Sequence, residues 1–306
     1  MSYVFLTDRH AFKLKKPVRY DFLDFSTLEA RRLDCEEEVR LNRRLAQNVY
    51  LGTVPVRVLD SDELQIGGTG RTVDWLVKMR RLPAALMLDR VLSTGVVSEA
   101  NVRRIAAKLA RFYSASSAVE MDPIRYPAQF MEAVTANLRE LSDPAYCLPR
   151  RLVHQACVAQ AAFLEANSEL LETRVRDKKI IEGHGDLRAE HICLEPEPVI
   201  IDCLEFKREF RLLDPADELG CLAMDCERLG GPFVRDVLFD VYGEITGDSP
   251  PNRLIHFYQS YRACLRAKIA VWHLKEPNLP NPAKWVSLGC DYLERAVAHI
   301  QRRERS

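Results

Sequence analysis

The chain has 306 residues, room for one large domain or two modest lobes. Hydrophobic residues make up 47% and charged residues 29%, the composition of a soluble globular protein. The 44 basic and 44 acidic side chains cancel, which argues against a nucleic-acid binder. No apolar run approaches membrane-spanning length and the N-terminus lacks a signal-peptide pattern, so no membrane association is expected and the expected location is cytoplasmic. The nine cysteines form no CxxC pair, and their odd number and irregular spacing predict reduced thiols.

In chain order, Val4–Leu6 and Ala11–Lys15 are short strand candidates around the turn Thr7-Asp8-Arg9-His10. In the second, Phe12 and Leu14 alternate with Lys13 and Lys15, so both lysines share one face. That face is either the solvent side of an edge strand or a functional one. Ser26 and Glu29 have capping-box spacing and open a helix that runs to about Ala46. On it Glu38 shares the stripe of Cys35, Leu41 and Leu45, where a carboxylate wants a cationic partner such as Lys13 or Lys15. Glu36 is the alternative register.

Strands follow at Val54–Leu59, Glu63–Ile66 and Thr72–Met79. Gly67-Gly68-Thr69-Gly70 lies between the last two and reads as a hairpin turn, because a phosphate cradle should feed a helix and none follows. After Arg80-Arg81-Leu82-Pro83 the texture changes from strand-rich to helical. Ser98 caps a helix with Val102, Ile105, Leu109 and Phe112 on one face; two more helices fall near 127–142 and 149–172. Asp214-Pro215 starts a helix with a buried stripe of Leu219, Leu222, Cys226 and Leu229, closed at Gly230. A long helix near 252–274 places Tyr258, Tyr261, Leu265, Ile269 and Trp272 together, and the tail QRRERS should fray.

Chemistry concentrates at HGDLRAEHICLEPEPVIIDCLE, residues 184–205. HICL and VIID are two short strands with EPEP as their turn, which should bring Asp186 and Asp202 together. One carboxylate to handle a hydroxyl and one to hold a metal is the division of labour in phosphoryl transfer. A metal-dependent hydrolase would use the same pair, but leaves Lys13 and Glu38 without a role.

HGDLRAEH followed by IIDCLE resembles the catalytic loop and metal segment of the aminoglycoside phosphotransferase-like kinases, in particular their bacterial phosphotransferase-enzyme branch. AFKLKKPV, the glutamate helix, VKMRRLP and LLDPADELGCLAMD extend the resemblance over most of the chain. It implies an α+β, two-lobe protein-kinase-like fold: a small antiparallel-sheet lobe with one helix at 1–81 and a larger, mainly helical lobe at 82–306, with the ligand site in the cleft. It implies an ATP-dependent phosphotransferase acting on a hydroxyl of a small-molecule acceptor, with Mg2+ or Mn2+ as cofactor. Carried over, Asp186 is the catalytic aspartate, Asp202 the metal ligand, and Lys13 the phosphate lysine, with Lys15 as fallback. Glu38 is that lysine's partner, and the connector Met79, Arg80 and Leu82 lies against the adenine. Asp214 and Asp217 stand where the family braces its catalytic loop.

The chain departs from the pattern at three places. His191 replaces the metal-binding asparagine five residues after the aspartate, as a ligand or as a structural histidine. Arg188 replaces the histidine two residues after it, either neutralising the transferring phosphoryl group or forming a salt bridge to Glu190 or Glu205. Only about ten residues precede Ala11, so the family's glycine-rich loop is missing or greatly reduced: either the Thr7–His10 turn covers the phosphates instead, or the true start lies upstream. Those departures motivate the alternative of a pseudokinase-like nucleotide-binding or scaffold protein. The positions of Arg262, Arg266 and Lys268 suggest either an anionic-acceptor site or a solvated helix face.

Overall fold

The computed structural model describes residues 2–20, 23–276 and 279–302. In chain order the elements are β1 (Ser2–Leu6), β2 (His10–Lys15), β3 (Arg19–Tyr20), β4 (Leu23–Asp24), α1 (Leu28–Ala46), β5 (Tyr50–Val58), β6 (Leu64–Ile66) and β7 (Arg71–Arg80). Then come α2 (Leu88–Ser93), α3 (Glu99–Ala115), α4 (Arg125–Leu141), α5 (Arg150–Arg176), β8 (Ile181–Glu182), β9 (Ile192–Cys193), β10 (Val199–Ile200) and β11 (Leu212–Leu213). The chain ends with α6 (Pro215–Arg228), α7 (Val234–Thr246), α8 (Asn252–Trp272) and α9 (Pro282–Gln301). It is an α+β fold in which an antiparallel sheet precedes a mostly helical remainder.

Backbone contacts divide the chain into two compact units, one holding the residues up to Phe112 together with His184–Leu212, the other Tyr113–Gly183 with the residues from Leu213 onward. The expected boundary at 81/82 falls inside the first unit, and the stretch that carries Asp186 and Asp202 belongs there too.

In the first unit, five strands form an antiparallel sheet in the order β1-β2-β7-β5-β6. β2 is therefore an interior strand, which removes the edge-strand reading of its lysines. Lys13 pairs with Val4 on one side and Val77 on the other. The edge strand β1 is apolar yet open to solvent: Tyr3, Val4, Phe5 and Leu6 are each more than half exposed. Gly67, Gly68 and Gly70 all take positive φ in the β6–β7 connection, so the glycine run is a hairpin turn as expected. Helix α1 starts one residue later than expected. Thr27 is its cap, its hydroxyl accepting from the Ala30 N–H at 3.1 Å, while Ser26 is tied back to Asp24 by backbone and hydroxyl. Cys35, Glu38, Val39, Leu41, Asn42, Leu45 and Ala46 are buried on α1, and Cys35, Val39 and Ala46 join Val77 and Met79 of β7 and Tyr50 of β5 in one core.

In the second unit, α4, α5, α6, α8 and α9 enclose a core that includes Phe130, Leu164, Leu171, Phe257, Tyr258 and Leu293. Phe163 and Phe257 stack with ring centroids 4.8 Å apart. The expected stripe of α8 needs correction. Tyr258 is buried, but Tyr261, Leu265 and Ile269 are half-buried and Trp272 is exposed. The fully covered apolar positions are Leu254, Phe257, Ala263, Cys264, Ala267 and Val271 beside Tyr258. α8 packs against α4, α5, α6 and α9 at once, so its covered positions mix large side chains with small ones that let the helices approach. Asp214 caps α6 through the Ala216 N–H at 2.9 Å and receives Arg174 at 2.6 and 2.8 Å. α7 and α9 carry no counterpart in the sequence reading. Of the tail, Gln301 and Arg302 are described; the rest lies outside the described residues.

Candidate active site

The candidate site residues from Lys13 to Asp202 all lie in the first unit. The chain reaches the site along four supports: strand β2, helix α1, the loop 184–191 and the β10 exit.

Lys13 Nζ donates to Glu38 Oε1 at 3.0 Å and to Asp202 Oδ1 at 2.6 Å. Burial works against the ammonium's charge, but Asp202 and Glu38 outweigh it and hold the Lys13 pKa well above the ordinary lysine value. Asp202 answers in kind. Burial would lift its carboxyl, yet Lys13 holds it below the usual carboxylate range. Its side chain keeps 44% of its surface open, so solvent screens part of that attraction.

Lys15 sits differently. Its side chain is 1% exposed; Nζ donates to Glu205 Oε1 and lies 2.8 Å from Asp34 and 2.5 Å from Glu38 Oε2, so three carboxylates surround one ammonium. Burial lifts the Asp34 carboxyl even against the pull of Lys15. Glu38 therefore serves two ammonium groups, one through each oxygen, and is itself fully buried. The register question on α1 resolves to Glu38. Glu36 is an outward residue that accepts from Arg32 at 2.6 Å.

The loop 184–191 is pinned at both ends. Two hydrogen bonds fix the His184 ring: Nε2 donates to the Ile201 carbonyl at 2.8 Å, and Nδ1 accepts from the Asp186 N–H at 3.3 Å. Gly185 has φ +90°, and a Cβ there would stand 3.1 Å from both Arg211 Cγ and Leu204 Cβ, so only glycine makes this turn comfortably. Asp186 follows, half-buried. His191 Nδ1 lies 2.8 Å from the Asp186 carbonyl, and Nε2 lies 3.6 Å from Asp202 Oδ2. The ring thus spans from the backbone of one aspartate to the side chain of the other. β9 and β10 pair as the expected hairpin, Ile200 opposite Ile192.

Asp202 takes φ +61°, a left-handed conformation uncommon outside glycine and found where surrounding bonds over-determine the chain. Those bonds are present. The Asp202 N–H donates to Tyr50 Oη at 3.1 Å, and the Cys203 N–H to Asn42 Oδ1 at 2.8 Å. Arg211, 2% exposed, donates to the Leu204 and Glu205 carbonyls at 3.0 Å each and reaches Glu37 at 3.3 Å.

Of the connector residues, Met79 is buried in β7 and Leu82 packs partly buried against the same core. Arg80 makes a two-pronged pair with Glu195, 2.7 Å on each prong, rather than presenting a free cation. Arg188 forms the salt bridge to Glu190, one of its two expected salt-bridge partners. In the second unit Arg262 is paired with Asp217 at 2.7 Å and Lys268 donates to Asn137 at 2.6 Å, so neither belongs to a bare solvated face.

Sequence reading missed Tyr50, Asn42, Asp34 and Arg211. A signal existed for two of them: Asp34, Glu38 and Asn42 recur every fourth residue, a polar row inside the apolar face of α1.

Comparison with solved structures decides the fold. The chain matches wild-type aminoglycoside 2'-phosphotransferase-IIIa, solved as its GDP complex, at a TM-score of 0.54 and 14% identity, covering 97% of this chain and 89% of that one. The chain has the aminoglycoside phosphotransferase fold. A point mutant of the same enzyme, also with GDP, gives a TM-score of 0.57 at 15% identity. Choline kinase from Cryptosporidium parvum gives 0.50 at 8% identity, over 95% of this chain and 79% of that one. No family model matches the chain. Among curated proteins, uncharacterized proteins of Mycobacterium tuberculosis and Mycobacterium bovis are 34% identical over 273 residues, 87% of this chain and 52% of theirs. The chain thus spans about half the length of the curated relatives it matches. Within the aminoglycoside phosphotransferase fold described here, Lys13, Glu38 and Asp202 form one connected ionic row.

Proposed function

We propose that the protein is an ATP-dependent phosphotransferase that moves the γ-phosphoryl group to a hydroxyl of a small-molecule acceptor. The observation that carries this reading is Lys13 bonded at once to Glu38 and Asp202. That row joins a strand lysine, a helix glutamate and a loop aspartate, the three fixed charges that phosphoryl transfer requires around a nucleotide. The GDP complexes of the aminoglycoside phosphotransferase add support for a nucleotide ligand.

A divalent ion fits the donor set. Asp202 accepts from Lys13 through Oδ1, keeps Oδ2 on the side of His191, and is 44% open to solvent. When bound, the ion would neutralise phosphate charge. The chain's own groups do the rest. Lys13 turns from Asp202 to the phosphate oxygens while Glu38 keeps its ammonium in place. The Asp186 carboxylate takes the acceptor's hydroxyl proton as the new O–P bond forms and the bond to the departing nucleoside diphosphate breaks. Arg188, held by Glu190, offers a cation two residues from the base. Met79, Arg80 and Leu82 line the adenine side.

Incubating the protein with γ-labelled ATP, Mg2+ or Mn2+ and a pool of hydroxyl-bearing metabolites tests the reading. Transfer should fall on the order of 10²–10⁴-fold in Asp186→Asn with nucleotide binding retained. Lys13→Met should weaken both. No nucleotide binding by the wild-type chain would overturn the proposal. One observation favours a second reading, a nucleotide-binding protein without turnover: the β1–β2 turn, Thr7 to His10, contains no glycine. Tight ATP binding with no transfer under either metal would favour it.

A further inference from the structure

We infer that His191 is a metal ligand through Nε2, and that it shifts the site's preference from Mg2+ toward first-row transition ions such as Mn2+. The inference rests on the reading of Asp202 as the metal carboxylate and goes beyond it.

The hydrogen bond behind the ring fixes its tautomer. The Asp186 carbonyl, 2.8 Å from Nδ1, can only accept, so the proton stands on Nδ1. In the neutral ring the lone pair is then on Nε2. That is the arrangement metal-binding histidines share, with the far nitrogen donating to a backbone carbonyl that fixes tautomer and ring orientation. The lone pair is on the Asp202 side of the ring: Nε2 and Asp202 Oδ2 are 3.6 Å apart. A direct hydrogen bond requires a closer approach. Two ligands at about 2.1 Å from one ion, however, stand roughly 3.0–3.4 Å apart for angles between octahedral and tetrahedral, within a small adjustment of the observed gap. Glu190 Oε1 is 3.8 Å from the same nitrogen, but its carboxylate is engaged by Arg188. The ring is held, with a side chain only 9% exposed.

Chemistry supplies the preference. Mg2+ favours oxygen donors, whereas imidazole suits borderline ions, whose affinity for a nitrogen-containing site rises along the first row. An asparagine oxygen at this position, as in the kinases the sequence resembles, would leave an all-oxygen site. The His191 ring replaces one oxygen by nitrogen.

The test uses the full chain with a non-hydrolysable ATP analogue and Mn2+ or Mg2+ as probes. Protein labelled with ¹⁵N-histidine is titrated with Mn2+ and read by electron spin echo envelope modulation, which separates a histidine nitrogen from an adenine one. The wild-type complex should show a coupled histidine nitrogen. Its Mn2+:Mg2+ affinity ratio by calorimetry should exceed that of the free analogue by about tenfold. His191→Asn should lose the coupling and return the ratio to that of the analogue; His191→Gln serves if the first variant does not fold. Mn2+ and analogue bound together without histidine coupling would overturn the inference and leave the phosphotransferase reading standing. Analogue bound with no protein-dependent metal affinity in the wild type, and none lost in Asp202→Asn, would overturn both.

Discussion

Two lysines, two residues apart on one strand, meet the same glutamate and face different demands. Lys15 is enclosed with three carboxylates around its ammonium. Lys13 has one buried carboxylate, Glu38, which Lys15 also holds, and one, Asp202, whose side chain is 44% open to solvent. Removing one partner of a buried ion cluster leaves uncompensated charge, which costs about 3–5 kcal/mol, whereas an opened, screened pair costs about 1 kcal/mol or less. Lys15→Met should therefore lower the urea midpoint far more than Lys13→Met, while Lys13→Met should be the more damaging to phosphoryl transfer. Equal stability losses would contradict the division into one structural and one functional lysine. The same scale explains what was and was not legible. The residue types at Lys13, Glu38, Asp186 and Asp202 are visible in the chain because their spacing places them on defined faces. Tyr50 and Arg211 act through contacts with backbone 152 and 7 residues distant in sequence, Tyr50 Oη on the Asp202 N–H and Arg211 on the Leu204 carbonyl, and no local pattern records such partners.

Helix α1 is the element that carries most of the arrangement. Its polar row of Asp34, Glu38 and Asn42 reaches Lys15, Lys13 and the Cys203 backbone in turn. Its start falls one residue beyond the capping-box spacing because Ser26 and Thr27 are both competent caps, and only the Asx turn at Asp24 decides between them by occupying Ser26. Thr27→Ala should destabilise the protein by about 1 kcal/mol and Ser26→Ala by clearly less, as chemical denaturation of the two variants would show. The reverse order would restore the capping-box assignment. Helices α7 and α9 escaped notice for another reason. Both bury only part of a face, and α9 opens at Asn281, whose left-handed backbone and side-chain cap on the Lys284 N–H lie outside the serine and aspartate starts that the sequence advertises.

At the scale of the molecule, the stability of the second unit should depend on pH through a histidine pair. His256 and His299 stack at 5.6 Å, beside Arg235 and Arg302, with Gln259 on His256 Nδ1 and Glu227 on His299 Nε2. Burial, then the nearby cations Arg235 and Arg302 and the neighbouring His299, press the His256 pKa down to about 4. Its folded value lies below its unfolded one near 6.5, so the unfolded chain takes up the proton first. Stability should accordingly be full above about pH 6.5 and fall as pH drops toward about 4. Thermal melts across that window should show the decline, and His256→Gln should flatten it by on the order of one proton. The first unit holds a different liability at its margin. Strand β1 presents Tyr3, Val4, Phe5 and Leu6 to water along a sheet edge whose outer row of peptide groups is unpaired within the sheet. Its effect is colloidal: two chains that meet there can zip edge to edge, so association at high concentration begins at residues remote in sequence from both aspartates. Phe5 lies opposite Phe12, on the face turned away from Lys13. A lysine at that position, Phe5→Lys, should raise the concentration at which light scattering first detects association while leaving the ionic row intact.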